Sequence, residues 1–401
     1  MKGLQKKGIS IVTVCLGVYF MLMVFDSIPM FGIGSILRIM IILPVGAILL
    51  IKLRSDLEIN VQILLILLYV FMLACSYLYS INRDETFKQF LRVLLNIAVV
   101  ICAGGMYDYS PEEIDFLKKC LAAGGIITIV ITLYLSDYSA AGRLTLSING
   151  AVQDQNYLNG YVFFTYIYFL TLAIRKKNLL MILPSGAIIL FSLMTGSRGA
   201  LLALAGISVT IVFCGLMRGK RISFSMVVMI VSGVLFIVLL YKPVLSLLPE
   251  GVAERYTTEY IAENGSTGRS EIWGYLLERF ANSSVFRVLF GYGFGTVAYL
   301  NEYNHLVAHN LWIEHLLAVG IIGEIVFVMM QAAYIRAAWK TNDIFVLSSY
   351  VGYLIMMISL SLLCYKPIWN CMMMILIVSR TYQTQKLENQ EGVNYGFKAI
   401  G

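Results

Sequence analysis

Stretches of roughly 20 apolar residues, the length needed to cross a bilayer core, recur from end to end of this 401-residue chain. About twelve are present, centred near residues 18, 44, 70, 98, 127, 165, 187, 208, 232, 323, 354 and 373. No other feature limits the fold as strongly. A chain that is 59% hydrophobic and 13% charged has too few polar side chains to coat a soluble core of this size. The expected fold is an all-α polytopic membrane protein of about 12 transmembrane helices, forming a single integral membrane domain over residues 1–401. Pro44 and Pro184 fall inside apolar runs and are expected to kink them. The first run is too long, and lacks the small-residue cleavage site, for a removable signal peptide, so it reads as a retained anchor. No internal repeat is visible. Residues 383–401 are polar and are expected to form a loose cytoplasmic tail.

Orientation follows from the basic residues between runs. With the N-terminus inside, eighteen of the 30 Lys and Arg fall on the cytoplasmic side, including Arg175-Lys176-Lys177 and Arg218-Gly219-Lys220-Arg221. Both termini are then cytoplasmic, and the one long loop, residues 243–310, lies outside. In a membrane protein the net charge of +7 is first a topology signal, and no nucleic-acid partner is expected. The seven cysteines, at 15, 75, 102, 120, 214, 364 and 371, nearly all fall within apolar runs and the long loop has none. They read as free thiols, with no CxxC pair and no disulfide-stapled outer domain.

Inside the long loop, "GRSEIWGYLLERFANS" places Ile272, Trp273, Leu276, Leu277 and Phe280 on one helical face. A helix lying on the outer membrane surface, with Trp273 dipping into it, is expected. "FGYGFGT" (290–296) lacks the strand-then-helix context of a nucleotide loop and reads as a flexible or close-packed turn.

All three histidines, His305, His309 and His315, lie in "HLVAHNLWIEH", where the polar loop meets the tenth run. His305 and His309 have a helical ligand spacing, but no H-E-x-x-H accompanies them and no cysteine or carboxylate lies between, so no metal is expected. Interfacial histidines at headgroup level are common. A general base is the other reading, because imidazole titrates near neutral pH and takes a proton without a metal. His309-Asn310 stands at the mouth of the tenth run, where water meets lipid.

The arginines of the outer half form a second group. Arg198 lies in the tight outer turn Gly196-Ser197-Arg198-Gly199. Arg38 and Arg92 lie inside the second and fourth runs, Arg143 precedes the sixth, and Arg269 heads the loop helix. Each taken singly has the alternative of snorkelling to lipid phosphate. Five at one depth suit an anion at the outer leaflet, since arginine grips phosphate with two parallel hydrogen bonds. The pattern suggests a lipid-borne diphosphate. "DQNYLNG" (154–160) opens the sixth run, where Asp154 and Asn156 position a sugar hydroxyl or cap the helix. Glu314 and Glu324 are carboxylates in apolar surroundings, and Arg38 or Arg92 is the candidate partner for Glu324.

Together, "TGSRGALLAL", "GRSEIW", "LFGYGFGT" and "AHNLWIEHLLAVGIIG" resemble the O-antigen ligase and polymerase (Wzy-like) family of bacterial polysaccharide enzymes. The resemblance covers roughly residues 150–335. It rests on motif order and spacing, on a histidine-asparagine closing a late outer loop, and on the G-x-x-G that follows. It implies a GT-C-like membrane glycosyltransferase in the bacterial cytoplasmic membrane, with its active site facing outward. Such an enzyme takes glycan from undecaprenyl diphosphate without nucleotide sugar, metal or other cofactor. Carried onto this chain, Arg198 and Arg269 hold the diphosphate and His309 is the base, giving inversion. Arg38, Arg92, Arg143, Asn156, Asn310 and Glu314 are the further candidates for substrate binding. Implied partners are the undecaprenyl-diphosphate-linked oligosaccharide, membrane lipids and other assembly proteins such as a flippase or chain-length regulator. Within the family a polymerase of capsule, exopolysaccharide or O-antigen repeat units is favoured. A ligase is the nearest alternative, and a lipid-linked-oligosaccharide flippase is the alternative from another class. "DQN", where relatives often show proline-asparagine, and Glu324 depart from the family pattern, and His305 and His315 have no family role.

Overall fold

A computed structural model describes residues 8–27, 44–48, 50, 59–139, 142–148, 151–176, 178–217, 243–265, 268–302 and 306–398. Arg38, His305, most of the second apolar run and all of the ninth lie outside the described residues. Helices occupy the other ten runs: α1 (Ile11–Met21), α2 (Val61–Ser76), α3 (Arg83–Gly105), α4 (Pro111–Tyr134), α5 (Gln155–Lys176), α6 (Leu183–Met194) and α7 (Arg198–Met217). After the long loop come α13 (Leu311–Lys340), α14 (Ile344–Met356) and α15 (Lys366–Lys398). Five of these, α3, α4, α5, α7 and α13, are long and apolar enough to cross a membrane.

Local sequence sets the ends of these helices. Ser110 and Glu113 form a reciprocal capping box with Pro111 in the first turn, and Asn60, Asn82, Asn310 and Asp343 each cap the helix that follows. Pro184 does not kink a span as expected. It sits in the first turn of α6, after a 3-10 turn over Leu179–Ile182, where its missing N–H costs nothing. The helices pack through small residues. At Gly125 a Cβ would come within 2.0 Å of Thr165 Oγ1, and that hydroxyl donates to Ala122 O at 2.6 Å. The helix α15 runs on to Lys398, through the residues expected to be loose. Gln383, Gln385 and Lys386 are unbranched residues that lose little rotamer freedom in a helix.

The fold is not purely helical. Strands β1 (Ser136–Tyr138), β2 (Leu144–Ile148) and β3 (Ala151–Val152) form a small antiparallel sheet in that order between α4 and α5. The long loop folds into short helices α8 (Glu250–Ala253), α9 (Thr258–Asn264), α10 (Arg269–Ala281), α11 (Val285–Phe290) and α12 (Val297–Leu300). In α10, Ile272, Leu276 and Phe280 are buried, as the periodicity predicts. Trp273 is half-buried against the same cluster, and its Nε1–H donates to Ala308 O at 2.7 Å, because a backbone carbonyl beside it offers the indole a partner.

The tenth run departs most from a plain helix. At Gly320 (φ 68°, ψ −173°) α13 breaks. The break leaves the carbonyls of Leu317 and Ala318 to accept the N–H groups of Tyr292 and Gly293, each at 2.9 Å. The "FGYGFGT" stretch is therefore a close-packed insertion. Tyr292 O accepts from Ile81 N–H at 3.0 Å. Phe294 N–H donates to Ser76 Oγ at 3.2 Å, and Thr86 Oγ1 donates to Phe294 O at 2.8 Å. Irregular backbone of this kind is tolerated beside a span only when the protein satisfies it. Glu324 pairs with His315 and with no arginine among the described residues: Nδ1 and Oε2 are 2.6 Å apart across the break, and the imidazole packs beside the rings of Tyr69 and Phe327. Both residues lie on α13, so the break itself brings them together.

The two ends of the bundle differ. At one end, Glu113 accepts from Ser10 and Thr13, Lys118 pairs with Asp343, and Arg380 meets Gly105 O and Asp108. At the other end are the sheet, the α6–α7 turn, the folded long loop and the α14–α15 connection.

Candidate active site: arginines around a histidine

The α6–α7 turn is the organising element at that end. Gly196 adopts φ +64°, which L side chains rarely take. The two successive carbonyls of this turn each hold a guanidinium from elsewhere in the chain. Thr195 O accepts from Arg143 Nε at 2.8 Å, and Gly196 O accepts from Arg255 Nε at 3.2 Å. A Cβ on Gly196 would stand 3.0 Å from Arg143 Nε and 3.3 Å from Arg255 Cδ. Gly196→Ala is therefore expected to lower the melting temperature and turnover together, since left-handed backbone costs an L residue about 1–2 kcal/mol before any displacement of the arginines. Thermal unfolding in detergent checks the first effect, and a wild-type melting curve would rule it out.

Arg198 opens α7. Its Nη2 donates to Gly265 O at 2.8 Å, and its guanidinium lies 5.9 Å from the centre of the Tyr260 ring. Arg255 lies over the same ring at 5.8 Å, so Tyr260 joins the two cations. Arg269, at the head of α10, donates from Nη1 to Ser359 O at 3.0 Å in the α14–α15 connection. Burial, followed by the charge of Arg255, lowers the pKa of Arg143; burial also lowers that of Arg269, Asp154 opposes it, and Arg255 and Arg198 add to it. Arg143, Arg255 and Arg198 are tied together by the α6–α7 turn and the Tyr260 ring, and Arg269 and the Asp154 carboxylate lie within electrostatic reach of them. The described partners of the four guanidiniums are carbonyls, an amide oxygen and a phenol, not carboxylates. Among the described residues much of their donor capacity, and positive charge beyond what Asp154 offsets, is left uncommitted. Two or more forks at one place suit an anion with several oxygens, such as a diphosphate.

His309 joins this cluster. Burial and then Arg269 lower its pKa from the ordinary value of 6.5, with Asp154 opposing. Burial thus favours the uncharged imidazole, the form a base needs. Nδ1 is buried without a protein partner among the described residues. The backbone at His309 is left-handed, at φ +50°. Asn310 next to it is the α13 N-cap, accepting from the N–H groups of Trp312 and Ile313.

Of the residues singled out from sequence, Arg143, Arg198, Arg269, Asn156, His309, Asn310 and Glu314 meet at this end. Asn156 Oδ1 accepts from Arg143 Nη2 at 3.2 Å. Asp154 Oδ1 accepts from the Asn156 backbone and side-chain amides at 2.7 and 2.9 Å, which combines helix capping with a place in the cluster. Glu314 Oε1 accepts from His309 N–H at 2.9 Å and from Ser361 Oγ. Arg92 is exposed and reaches Gln89 Oε1 at 3.5 Å, near Cys364 and outside the cluster. Arg255 is the member that sequence reasoning missed. Its only signal is a cation flanked by Tyr256 and Tyr260, and in a polar loop that looks like any solvated charge. Tyr256 lies within reach of Arg255, Arg143 and Arg198, while burial pushes its phenol up to about 12.

A scan of the chain against protein-family models gives no match, and a search of curated proteins gives no significant one. The site has to be read from its own residues.

Proposed function

We propose that this chain is a membrane glycosyltransferase that joins lipid-linked oligosaccharide repeat units into a polysaccharide. The observation that carries this reading is the convergence of four arginines and His309 at one end of an apolar helical bundle. The donor is a glycan on undecaprenyl diphosphate, with its diphosphate against Arg143, Arg198, Arg255 and Arg269. His309 takes the proton from the acceptor hydroxyl as that oxygen bonds to the anomeric carbon. The bond from that carbon to the diphosphate oxygen breaks on the opposite face, so configuration inverts. Negative charge growing on the departing diphosphate meets donors already in place, which is the largest kind of catalytic stabilisation available without a metal. The resemblance of residues 150–335 to O-antigen ligases and polymerases points the same way.

The same reading places the protein in the bacterial cytoplasmic membrane, with GT-C-like architecture and with about twelve spans once the two apolar runs outside the described residues are counted. It puts both termini inside and the arginine cluster outside, in keeping with the excess of Lys and Arg assigned to the cytoplasmic side.

The test is to incubate purified protein with an undecaprenyl-diphosphate repeat unit and to look for extension. A ladder supports the polymerase, and transfer to a foreign acceptor alone replaces it with a ligase. No transfer by folded protein removes the glycosyltransferase reading and leaves a flippase. A chelator is expected to leave the ladder unchanged; its disappearance would bring back a metal. The pH profile gives a separate check. His309 acts as a base only when neutral, and its pKa in the fold lies below 6.5. The rate is expected to be level near neutrality and to fall only as acidification passes that depressed value. An acid limb at or above 6.5 would exclude His309 as the titrating group.

A further inference from the structure

A base in an enzyme usually has its ring aimed by a partner on the other imidazole nitrogen. His309 has no such protein partner, because Nδ1 is buried and unbonded among the described residues. What holds it is the main chain. Its left-handed backbone (φ +50°) is uncommon for a residue with a side chain and persists where the surroundings over-determine it. The N–H of this residue points to Glu314 Oε1 at 2.9 Å, one turn into α13. The same oxygen accepts the Ser361 hydroxyl, and Ser361 O in turn accepts from Tyr157 Oη at 2.9 Å. Two residues earlier, Ser359 O holds Arg269 Nη1 at 3.0 Å. Two residues earlier again, Met357 O accepts from Leu311 N–H at 2.8 Å, at the start of α13. The stretch 357–361 therefore touches the base, through Glu314, and the anion-binding arginine directly.

We infer that Glu314 is a positioning residue, which together with Ser361 fixes the His309 backbone so that the imidazole stands at a set place relative to Arg269. This inference rests on the glycosyltransferase reading for its catalytic consequence, and not for its geometry. It also separates Glu314 from the substrate: the carboxylate acts on His309 through a main-chain N–H and needs no contact with sugar or phosphate. Losing the relay lets the base swing while the arginines keep their grip. A displacement of about 1 Å costs on the order of 10²-fold in rate, so the loss should appear in kcat and leave KM for the lipid-linked donor near wild type.

Two measurements test it on the full-length protein in detergent. The first compares kcat and KM in Glu314→Ala, Glu314→Gln and Ser361→Ala. Alanine at 314 is expected to lower kcat roughly 10²-fold with KM unchanged, and Ser361→Ala to lower it less. Glutamine should restore most of the rate, because its amide oxygen accepts the same two hydrogens. A raised KM with unchanged kcat would overturn the inference in favour of substrate contact, and so would glutamine behaving like alanine. The second measurement is the rate at which diethyl pyrocarbonate modifies His309, located by peptide fragmentation. It should rise several-fold in Glu314→Ala and in Ser361→Ala, and stay at the wild-type rate in Glu314→Gln. Wild-type labelling in both alanine variants would overturn the relay. If wild-type protein extends no glycan, the glycosyltransferase reading falls, and the labelling rates still decide the relay. If Glu314→Ala does not fold, Ser361→Ala carries both measurements.

Discussion

Replacing His309 with alanine is expected to stop extension at single lipid-linked repeat units, with a fall in turnover of roughly 10²–10⁴-fold, the range for losing a positioned general base. His309 is the one described imidazole beside the arginine cluster, since His315 is buried against Glu324, Tyr69 and Phe327. A backbone at φ +50° makes alanine an imperfect control, because the new residue meets the same left-handed strain without the local compensation that histidine or asparagine finds. His309→Asn is the sharper variant. Asparagine tolerates this backbone and takes no proton at neutral pH, so loss of activity in a protein that melts like wild type isolates the chemistry. Full-length polymer from either variant would sink the assignment of the base.

The second large effect is expected from charge-conserving changes in the cluster. Arg269→Lys and Arg198→Lys should each lose on the order of 10²–10³-fold in turnover, comparable to removing one donor from a preorganised anion site. Lysine keeps the charge and loses the fork. Arg269 should be the more sensitive, because it already commits Nη1 to Ser359 O and offers the rest of the fork to a ligand. A single ammonium cannot do both. Arg198, whose described contacts are the exposed carbonyl of Gly265 and the Tyr260 ring, has more room to adjust. Arg255→Lys should fall between them and would test the residue that only the fold revealed. Unchanged turnover in all three would mean that the cluster serves lipid headgroups or packing.

The helices were legible because a run of about 20 apolar residues has few places to go except across a bilayer. Of the caps, the sequence marked the Asp154–Asn156 start of α5, because Asp and Asn announce helix starts. The loop helix Arg269–Ala281 was legible from its 3.6-residue period. Three features were not. The strands between α4 and α5 are two to five residues long, too short for alternation to register. The break at Gly320 depends on a partner: the glycine permits φ 68°, but only the 290–296 stretch supplies the N–H groups that make the broken helix whole. Arg255 was invisible because a cation in a polar loop is ordinarily solvated.

By itself the sequence determined the class of molecule, the positions of its described apolar helices and a short roster of candidate residues, because apolar length and residue type are local properties. Only the tertiary structure decided which candidates share a site. It drew Arg255 in and left Arg92 outside. It turned Glu314 towards the backbone of His309 and gave Glu324 a histidine for its partner. Those outcomes follow from where distant segments meet: two carbonyls of one turn choosing their guanidiniums, and a broken helix borrowing its hydrogen bonds from a loop.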